Sequence, residues 1–456
     1  MAELKNLMIS VSGVRGIVGD GFTPDVALRF AQAYGSHFGP GRIVVGRDSR
    51  VTGDLIKYAV WSGLLATGCD VVDIGMTTTP TTAMATERAE NSGGIIITAS
   101  HNPREWNALK LLAPDGLFLN PEEGARILER VRQEDFRFAA WHEVGTVRPY
   151  ARAAEDHIAS VINLPLIDVT AIRKRGFKIV ADPCNGAGGT ILPEFLQELG
   201  CEVIYLNLEP SGHFPRSPEP VPENLGDLCA AVVKHRADLG IAVDPDVDRL
   251  ALVSEKGVPL GEEYTLALAV EFVLAHTPGD VVVNASTSLV IDDLARQYGV
   301  RVHRTPVGEI HVASKARQSG AVIAGEGNGG VILPALHLGR DAIAGIALIL
   351  QHLVEKSKPL SQVHADLPQY VIVKDKITLP FGVDARRLVA RLTEAHRSGP
   401  IDLTDGLKLL YDASWVHIRA SNTEPIVRVM AEAPSAEEAQ NRVAALKAEF
   451  ARLTMN

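Results

Sequence analysis

The chain has 456 residues, of which 46% are hydrophobic and 22% charged, and its formal net charge is −10. This length exceeds what one hydrophobic core supports, and the composition is that of an ordinary globular protein with several domains. The acidic balance argues against a general nucleic-acid binder, because phosphate backbones require a basic surface, but it allows a small anionic ligand in a local positive pocket.

Signals for export, membrane insertion and disulfide formation are missing from the sequence. The segment 1–6 lacks the basic region and apolar core of a signal peptide, and no apolar run reaches the length that spans a bilayer. Without Cys-x-x-Cys spacing, the cysteines are expected to be reduced thiols: Cys69, Cys184, Cys201 and Cys229. We therefore expect a cytoplasmic protein with no membrane partner.

Three segments repeat one pattern, in which an apolar strand is followed by a Gly-, Asp- or Asn-containing turn and an amphipathic helix. Their strands are 42–46, 178–182 and 280–284, each continued by another short strand, such as 201–205 and 300–303. Strands that alternate with helices predict mostly parallel sheets covered on both faces, and the recurrence predicts three related α/β domains.

The C-terminal part has a different pattern. Residues 370–374 and 416–419 alternate apolar and polar side chains, as strands of a half-solvated antiparallel sheet do. A last helix is expected from Ser435, with Glu438 placed for a capping box and an apolar stripe of Ala439, Val443, Leu446, Phe450 and Leu453. These features predict a smaller α+β domain, and the expected domains are 1–150, 151–254, 255–368 and 369–456.

The first motif, Thr-Ala-Ser-His-Asn-Pro at 98–103, follows the apolar run 94–97. Asn102-Pro103 forces a turn, which presents Ser100 at a strand end where α/β enzymes tend to keep reactive groups. His101 is adjacent, and neighbours in an extended chain point to opposite faces, so the two do not form a ready Ser/His pair. The alternative interpretation is an ordinary Ser-x-Asn-Pro turn.

The second motif is Asp-Pro-Asp-Val-Asp-Arg at 244–249, between two apolar runs. Its three carboxylates would repel one another unless a cation joined them, and hard oxygen ligands select Mg²⁺ or Ca²⁺. An EF-hand is rejected, because Arg249 replaces the required glycine and strands flank the loop. A metal-free acidic turn is the alternative, and Mg²⁺ is favoured because it keeps positions open for phosphate oxygens.

The third motif, Gly-Glu-Gly-Asn-Gly-Gly at 325–330, is glycine-rich but lacks the frame of a phosphate-binding loop. Glu326 would repel a phosphate, so hydrogen bonds to sugar hydroxyls suit this loop better.

The fourth motif is Arg-Ala-Ser-Asn-Thr-Glu-Pro-Ile-Val-Arg at 419–428. Two guanidinium groups, two hydroxyls and an amide on one turn between strands are what a dianionic phosphate needs. A polar hairpin loop with Arg428 in a surface ion pair is the alternative.

Together these four loops resemble those of the α-D-phosphohexomutase superfamily, across the whole chain and in the expected order. TASHNP resembles the phosphoserine loop, DPDVDR the metal loop, GEGNGG the sugar-specificity loop and RASNTEP the phosphate loop. The resemblance implies three α/β domains with mixed, mostly parallel sheets plus a C-terminal α+β domain around a central cleft. Its partners would be a hexose phosphate and a sugar bisphosphate, and whether the chain is a monomer or a homodimer is left open.

The resemblance also implies a mechanism and residue roles. Ser100 would carry a phosphoryl group on Mg²⁺ held by Asp244, Asp246 and Asp248, and a bisphosphorylated sugar would return its other phosphate to Ser100. Phosphate would thereby move between carbon 6 and carbon 1. Either Arg15 or Lys110 would move a proton, with Lys110 favoured because arginine is rarely a free base. Contacts to the phosphoryl group are expected from Arg249 and His101, and substrate contacts from Glu326, Asn328, Arg419, Ser421, Asn422, Thr423 and Arg428.

Two departures from the family pattern leave the hexose open. Many members have Ser-Gly-His where this chain has residues 328–330, Asn-Gly-Gly, and segment 305–309 has no histidine. The motif GEGNGG followed by 337–341 looks closest to phosphoglucosamine mutases, so glucosamine phosphate is expected, with glucose or mannose phosphate as alternatives. A metal-dependent sugar phosphatase and a non-catalytic sugar-phosphate sensor are the competing functions.

Overall fold

A computed structural model describes residues 6–10, 13–88, 90–379, 384–420 and 426–454. Four sheets follow one another along the chain. Three combine parallel and antiparallel pairing and are packed with helices, and the fourth is antiparallel throughout. The predicted fold class is confirmed.

The first sheet has strand order β1-β2-β7-β6-β4-β5-β8, with β3 beside β2. Its strands are β1 (Met8–Ser10), β2 (Gly13–Val18), β3 (Gly21–Phe22), β4 (Arg42–Arg47), β5 (Asp70–Met76), β6 (Asn91–Ile97), β7 (Trp106–Leu112) and β8 (Val147–Pro149). Its helices are α1 (Pro24–Phe38), α2 (Gly53–Ala66), α3 (Thr79–Glu87) and α4 (Pro121–Gln133).

The second sheet has strand order β10-β9-β11-β12. The helices of this part are α5 (Ala153–Ile162), α6 (Val169–Arg175), α7 (Leu192–Glu198) and α8 (Gly226–His235), with short 3-10 helices at Ala187–Thr190 and Pro222–Asn224. The strands are β9 (Lys178–Asp182), β10 (Glu202–Tyr205), β11 (Leu239–Val243) and β12 (Leu250–Ser254).

The third sheet has strand order β14-β13-β15-β16. The strands are β13 (Val281–Asn284), β14 (Val302–Thr305), β15 (Ile323–Glu326) and β16 (Gly330–Ile332). The helices are α9 (Glu262–His276), α10 (Val290–Tyr298), α11 (Glu309–Ser319), α12 (Ala342–Lys356) and α13 (Leu360–Asp366). The expected strand 300–303 thus lies two residues further on, because α10 is closed by Gly299 in a left-handed conformation.

The fourth sheet has strand order β17-β21-β20-β19-β18. Its strands are β17 (Val371–Thr378), β18 (Ile401–Asp402), β19 (Leu407–Leu410), β20 (Trp415–Ala420) and β21 (Ile426–Ala433), and its helices are α14 (Ala385–Ala395) and α15 (Ala436–Thr454). Ser435 caps α15 by accepting from the backbone N–H of Glu438, but the Glu438 carboxylate bonds Ser414 and Arg442, so the capping box is incomplete. The predicted stripe is buried from Ala439 to Phe450, and the side chain of Leu453 lies outside the described residues.

The three α/β sheets share one arrangement of four strands. Numbered in chain order, the first strand (β4, β9 or β13) pairs in parallel with the second and the third, and the third pairs antiparallel with the fourth. The spatial orders are β5-β4-β6-β7, β10-β9-β11-β12 and β14-β13-β15-β16. This repetition agrees with three related units. The predicted boundaries at 150 and 368 fall in connections between sheets, and 254 is the last residue of β12.

One continuous hydrophobic core joins the second and third sheets. Helices α9 and α12 lie within it and are buried along nearly their whole length. The first and fourth sheets have separate cores. The second and third units therefore form one body, against which the other two are placed.

Candidate active site

Three of the four motifs follow the same strand of the shared arrangement. Residue 98 follows β6 and residue 244 follows β11, while Glu326 ends β15. Each of these strands is the third, in chain order, of the shared four-strand arrangement and leads into the antiparallel fourth strand. Ligands of open α/β sheets bind at the carboxyl ends of strands, and here three such ends meet.

Ser100 lies at the bottom of this junction rather than on the surface, with 6% of its area exposed. Its hydroxyl donates to Oδ2 of Asp244 over 2.9 Å. The backbone of Ser100 has φ +49°, so the chain is not extended there, and its Oγ lies 3.4 Å from Nδ1 of His101. The argument that the two side chains must point apart was therefore wrong, although the closer partner of Ser100 is Asp244.

The turn that carries Ser100 is held by Arg50, a residue that the sequence analysis did not single out. The Arg50 guanidinium is fully buried and donates to four backbone carbonyls, those of Ser100, Asn102, Pro103 and Trp106, over 2.6–2.9 Å. Asp48 accepts from Nε of Arg50. The only local feature of the sequence that could have indicated Arg50 is the polar segment Asp-Ser-Arg directly after β4, and it does not show which groups Arg50 contacts.

The three aspartates that follow β11 form a candidate metal centre. Asp244, Asp246 and Asp248 are fully buried, and one oxygen from each lies within 4.8 Å of the others. Within the part of the chain that the structure describes, Oδ1 of Asp246 and Oδ1 of Asp248 have no hydrogen-bond partner, which is costly for buried carboxylate oxygens. Hard anionic oxygens in this arrangement fit a divalent cation such as Mg²⁺ or Ca²⁺.

The Oδ2 atoms of Asp246 and Asp248 accept hydrogen bonds from cationic side chains and a hydroxyl. Oδ2 of Asp246 accepts from Nζ of Lys110 at 2.7 Å and from the hydroxyl of Thr79 at 2.6 Å. Oδ2 of Asp248 accepts from Arg340 at 2.6 Å. In Asp246 and Asp248, these contacts fix Oδ2, the outer oxygen, and leave Oδ1, the inner oxygen, for another ligand.

Ionisation of the cluster is shaped by burial and by mutual repulsion. Burial, followed by the charges of Asp248 and Asp246, raises the pKa of Asp244 well above its ordinary value. Burial acts in the same direction on Asp246, but the Lys110 ammonium and the hydrogen bonds that Asp246 accepts together outweigh it and hold the pKa of Asp246 below the ordinary range. The pKa of Lys110 is raised in turn, because these carboxylates outweigh the effect of its burial.

Positive groups lie near the turn that carries Ser100. Nη1 of Arg15 donates to Asn102 in the serine turn at 3.2 Å. Burial, followed by the charges of Arg249 and Arg428, lowers the pKa of Arg15, so these three guanidinium groups share one region. Burial and Arg249 also hold the pKa of His101 well below its ordinary value, which makes its imidazole neutral. The region is suited to an anion.

The glycine-rich motif forms the tight hairpin between β15 and β16. Glu326 is buried, and its Oε1 accepts from Nδ2 of Asn284 and from the N–H of Gly308. Asn328 accepts from the N–H of Gly330 through its side-chain oxygen. The amide group of Asn328 therefore stabilises the hairpin, at the edge of the same junction.

The fourth motif connects β20 and β21. Arg419 and Arg428 are directly opposite each other in the antiparallel register. Like charges in this position repel at short range, and a bound anion would relieve the repulsion. Burial lowers the pKa of Arg419, and the Arg428 guanidinium adds to this effect. The predicted contacts Ser421, Asn422 and Thr423 lie outside the described residues.

Comparisons with known proteins cover all four units. Family profiles for phosphoglucomutase/phosphomannomutase α/β/α domains I, II and III match residues 7–138, 155–257 and 261–370, and the profile of the C-terminal domain matches 370–449. The chain is 42% identical to a probable phosphoglucosamine mutase of Methanopyrus kandleri, over 94% of each chain. It is 41% identical to a phosphoglucomutase/phosphomannomutase of Thermococcus kodakarensis, over 94% of this chain and 95% of that one.

Solved structures agree with this match. The crystal structure of a phosphoglucomutase/phosphomannomutase family protein from Burkholderia thailandensis has a TM-score of 0.86 and 28% identity, with 98% of this chain and 97% of that chain covered. The resemblance inferred from the four loops is thereby confirmed. Among the described residues, no helix has the length and apolar character needed to cross a membrane, and the cytoplasmic location stays a prediction.

Proposed function

Because the chain belongs to the phosphoglucomutase/phosphomannomutase family, within the α-D-phosphohexomutase superfamily, we propose that Ser100 is the residue through which it transfers phosphate. The chain is a phosphohexomutase, an isomerase-class phosphotransferase that acts on hexose phosphates. The observation that carries the proposal is the 2.9 Å contact of Ser100 with Asp244. In this contact a hydroxyl lies against an aspartate cluster in which the described residues donate no hydrogen bond to the inner oxygens of Asp246 and Asp248.

The proposed reaction begins with a phosphoryl group on Oγ of Ser100. A free hydroxyl of the bound sugar phosphate attacks the phosphorus, the bond from phosphorus to Oγ breaks, and the sugar becomes a bisphosphate. The proton lost by the sugar hydroxyl is balanced by the proton that Oγ regains. The bisphosphate then reorients in the site, so that its other phosphate faces Ser100, and transfers that phosphate to Oγ. Phosphate has thereby moved between carbon 6 and carbon 1.

Asp244, Asp246 and Asp248 would hold Mg²⁺, together with an oxygen on Ser100. When bound, the ion supplies charge neutralisation for the transferring group. We assign contacts with the same group to Arg15, Arg249 and His101. Lys110 is paired with Asp246 and is charged in this arrangement, so it would enter as an ammonium donor.

The phosphate that is not reacting would be held by the fourth motif. Arg419 and Arg428 face each other across two strands, and both are suited to one dianion. The hydroxyl and amide groups of residues 421–423 are assigned to the same phosphate by the sequence motif. A mutase needs this second phosphate-binding site and a phosphatase does not, which favours the mutase among the alternatives.

We assign recognition of the sugar hydroxyls to Glu326 and Asn328, and glucosamine phosphate as the preferred substrate. The relatives support this choice in part, because one is named a probable phosphoglucosamine mutase and another a phosphoglucomutase/phosphomannomutase. Glucose and mannose phosphates are the alternatives.

One assay tests both parts of the proposal. Glucosamine, glucose and mannose 6-phosphates are compared for isomer formation, with released inorganic phosphate measured alongside, in the wild type, Ser100→Ala and the exposed control Ser62→Ala. We expect isomer formation fastest with glucosamine, abolished by Ser100→Ala and unchanged by Ser62→Ala. Full turnover by Ser100→Ala, or phosphate release faster than isomer formation, would contradict the proposed mechanism.

A further inference from the structure

Arg340 is a buried arginine that touches three carboxylates from three elements, and no motif assigned it a role. Its Nη2 lies 2.6 Å from Oδ2 of Asp248, and its Nη1 lies 2.9 Å from Oε2 of Glu326. Its Nε lies 3.1 Å from Oε2 of Glu309, whose other oxygen accepts from the Arg340 backbone N–H. Only 9% of the side chain is exposed, so these contacts are shielded from water.

The path of the Arg340 side chain depends on Gly330. A Cβ built on Gly330 would lie 2.2 Å from Cδ of Arg340 and 2.9 Å from its Cγ. These atoms are in the middle of the side chain, so Arg340 could not yield by moving its tip alone. Position 330 is also where the family pattern in the sequence analysis has a histidine. A side chain at position 330 would therefore clash with Arg340 in the conformation seen here.

Arg340 completes the fixation of Glu326. Oε1 of Glu326 is held by Asn284 and by the N–H of Gly308, whereas the donor to Oε2 among the described contacts is Arg340. Burial raises the pKa of Glu326, but the charge of Arg340 and these hydrogen bonds outweigh it, so the carboxylate stays ionised. Without Arg340, the carboxylate would be buried with a free oxygen and a less defined direction.

The same guanidinium acts on the aspartate cluster. By taking Oδ2 of Asp248, Arg340 leaves Oδ1 as the oxygen available to a cation. Outer contacts of this kind orient metal ligands, and their loss typically costs about 10- to 100-fold in metal affinity or activity. One side chain thus fixes an oxygen of the cluster and an oxygen of the sugar loop.

We propose that Arg340 is a positioning residue that couples sugar selection at Glu326 to the metal loop at Asp248, and that Gly330 is required because it gives Arg340 its path. The sugar part rests on the proposed function of Glu326. The metal part rests on the aspartate cluster alone. The enzyme would therefore lose metal affinity and discrimination between hexose phosphates together when either Arg340 or Gly330 is changed.

The test compares Arg340→Lys, Gly330→Ala, the double variant and the control Arg317→Lys, which alters an exposed ion pair on α11. Titration calorimetry measures Mg²⁺ affinity, and steady-state assays give the ratio of kcat/KM for glucosamine 6-phosphate to that for mannose 6-phosphate. We expect each single variant to weaken Mg²⁺ binding by about 10-fold or more and to move the ratio toward one. The double variant should be no worse than the poorer single variant, because both changes remove one arrangement.

Wild-type Mg²⁺ affinity and wild-type selectivity in Arg340→Lys would overturn the proposal, as would a Gly330→Ala enzyme indistinguishable from the control. Strictly additive losses in the double variant would overturn the link between the two residues. If the wild type itself interconverts no hexose phosphate, the proposed function fails, and the calorimetric comparison still decides the role of Arg340 at the metal loop. Circular dichroism of each variant separates these effects from loss of folding.

Discussion

The hydroxyl of Ser100 donates to Oδ2 of Asp244, a residue 144 positions further along the chain, over 2.9 Å. Ser100 comes after β6 and Asp244 after β11, which are equivalent strands of the shared four-strand arrangement. The contact therefore joins two equivalent loops of related units. It makes the chemistry of the serine dependent on how those units are placed.

The aspartate cluster should bind a divalent cation through the inner oxygens of Asp246 and Asp248. Replacing either by asparagine keeps its shape but removes the anionic ligand. Loss of a residue that only orients a metal ligand costs about 10- to 100-fold in affinity, and loss of the ligand itself should weaken Mg²⁺ binding more. Titration calorimetry measures this, with the exposed Asp227→Asn as control. Undiminished Mg²⁺ binding by both variants would place the ion elsewhere.

Arg50→Lys should reduce kcat by about 100-fold with a small change in KM. One ammonium cannot reach the four carbonyls that the guanidinium holds, so the turn around Ser100 loses its fixed geometry while the substrate contacts remain. Faster hydrogen exchange over residues 98–106 should accompany the loss. The exposed Arg42→Lys should behave as wild type, and equal kcat values in both variants would show that Arg50 does not position the serine.

The stability of Glu263→Gln relative to wild type should increase as the pH rises. Burial raises the pKa of Glu263 to about 8, against about 4.3 when unfolded. Between these values the folded state binds the extra proton, so wild-type stability falls with increasing pH, and glutamine removes that loss. The melting temperature of the variant relative to wild type should be about 5 °C or more higher at pH 8.5 than at pH 5.

The exposed Glu122→Gln should show no such shift with pH. A constant difference between Glu263→Gln and wild type at the two pH values would mean that Glu263 does not titrate in this range.

Asp341→Ala should destabilise the protein by about 3–5 kcal/mol. One oxygen of Asp341 accepts from the buried rings of His157 and His337, and the other caps α12. Asp384 caps α14 at an exposed position, so Asp384→Ala should cost only the about 1 kcal/mol of a lost cap. Urea unfolding of both variants measures the difference, and equal losses would show that the histidine contacts add nothing.

The sequence predicted the loops because their chemistry is local. The expected strands 42–46, 178–182 and 280–284 correspond to β4, β9 and β13, the first strands of the shared four-strand arrangement, and three of the four motifs lie at the ends of its third strands. Arg50 and Arg340 escaped notice for the opposite reason. Most of their partners are backbone carbonyls and carboxylates far away in the chain, and the one near partner, Asp48 of Arg50, does not indicate what the guanidinium holds. The positive φ of Ser100 is likewise not indicated by its neighbours in the sequence.

The most direct test of the account is intact-mass spectrometry of the full chain after incubation with glucose 1,6-bisphosphate and Mg²⁺. We expect one added phosphoryl group, located on Ser100 by peptide mapping, lost on addition of the preferred hexose 6-phosphate and absent from Ser100→Ala. A phosphoryl group on another residue, or turnover by an enzyme that is never phosphorylated, would contradict it.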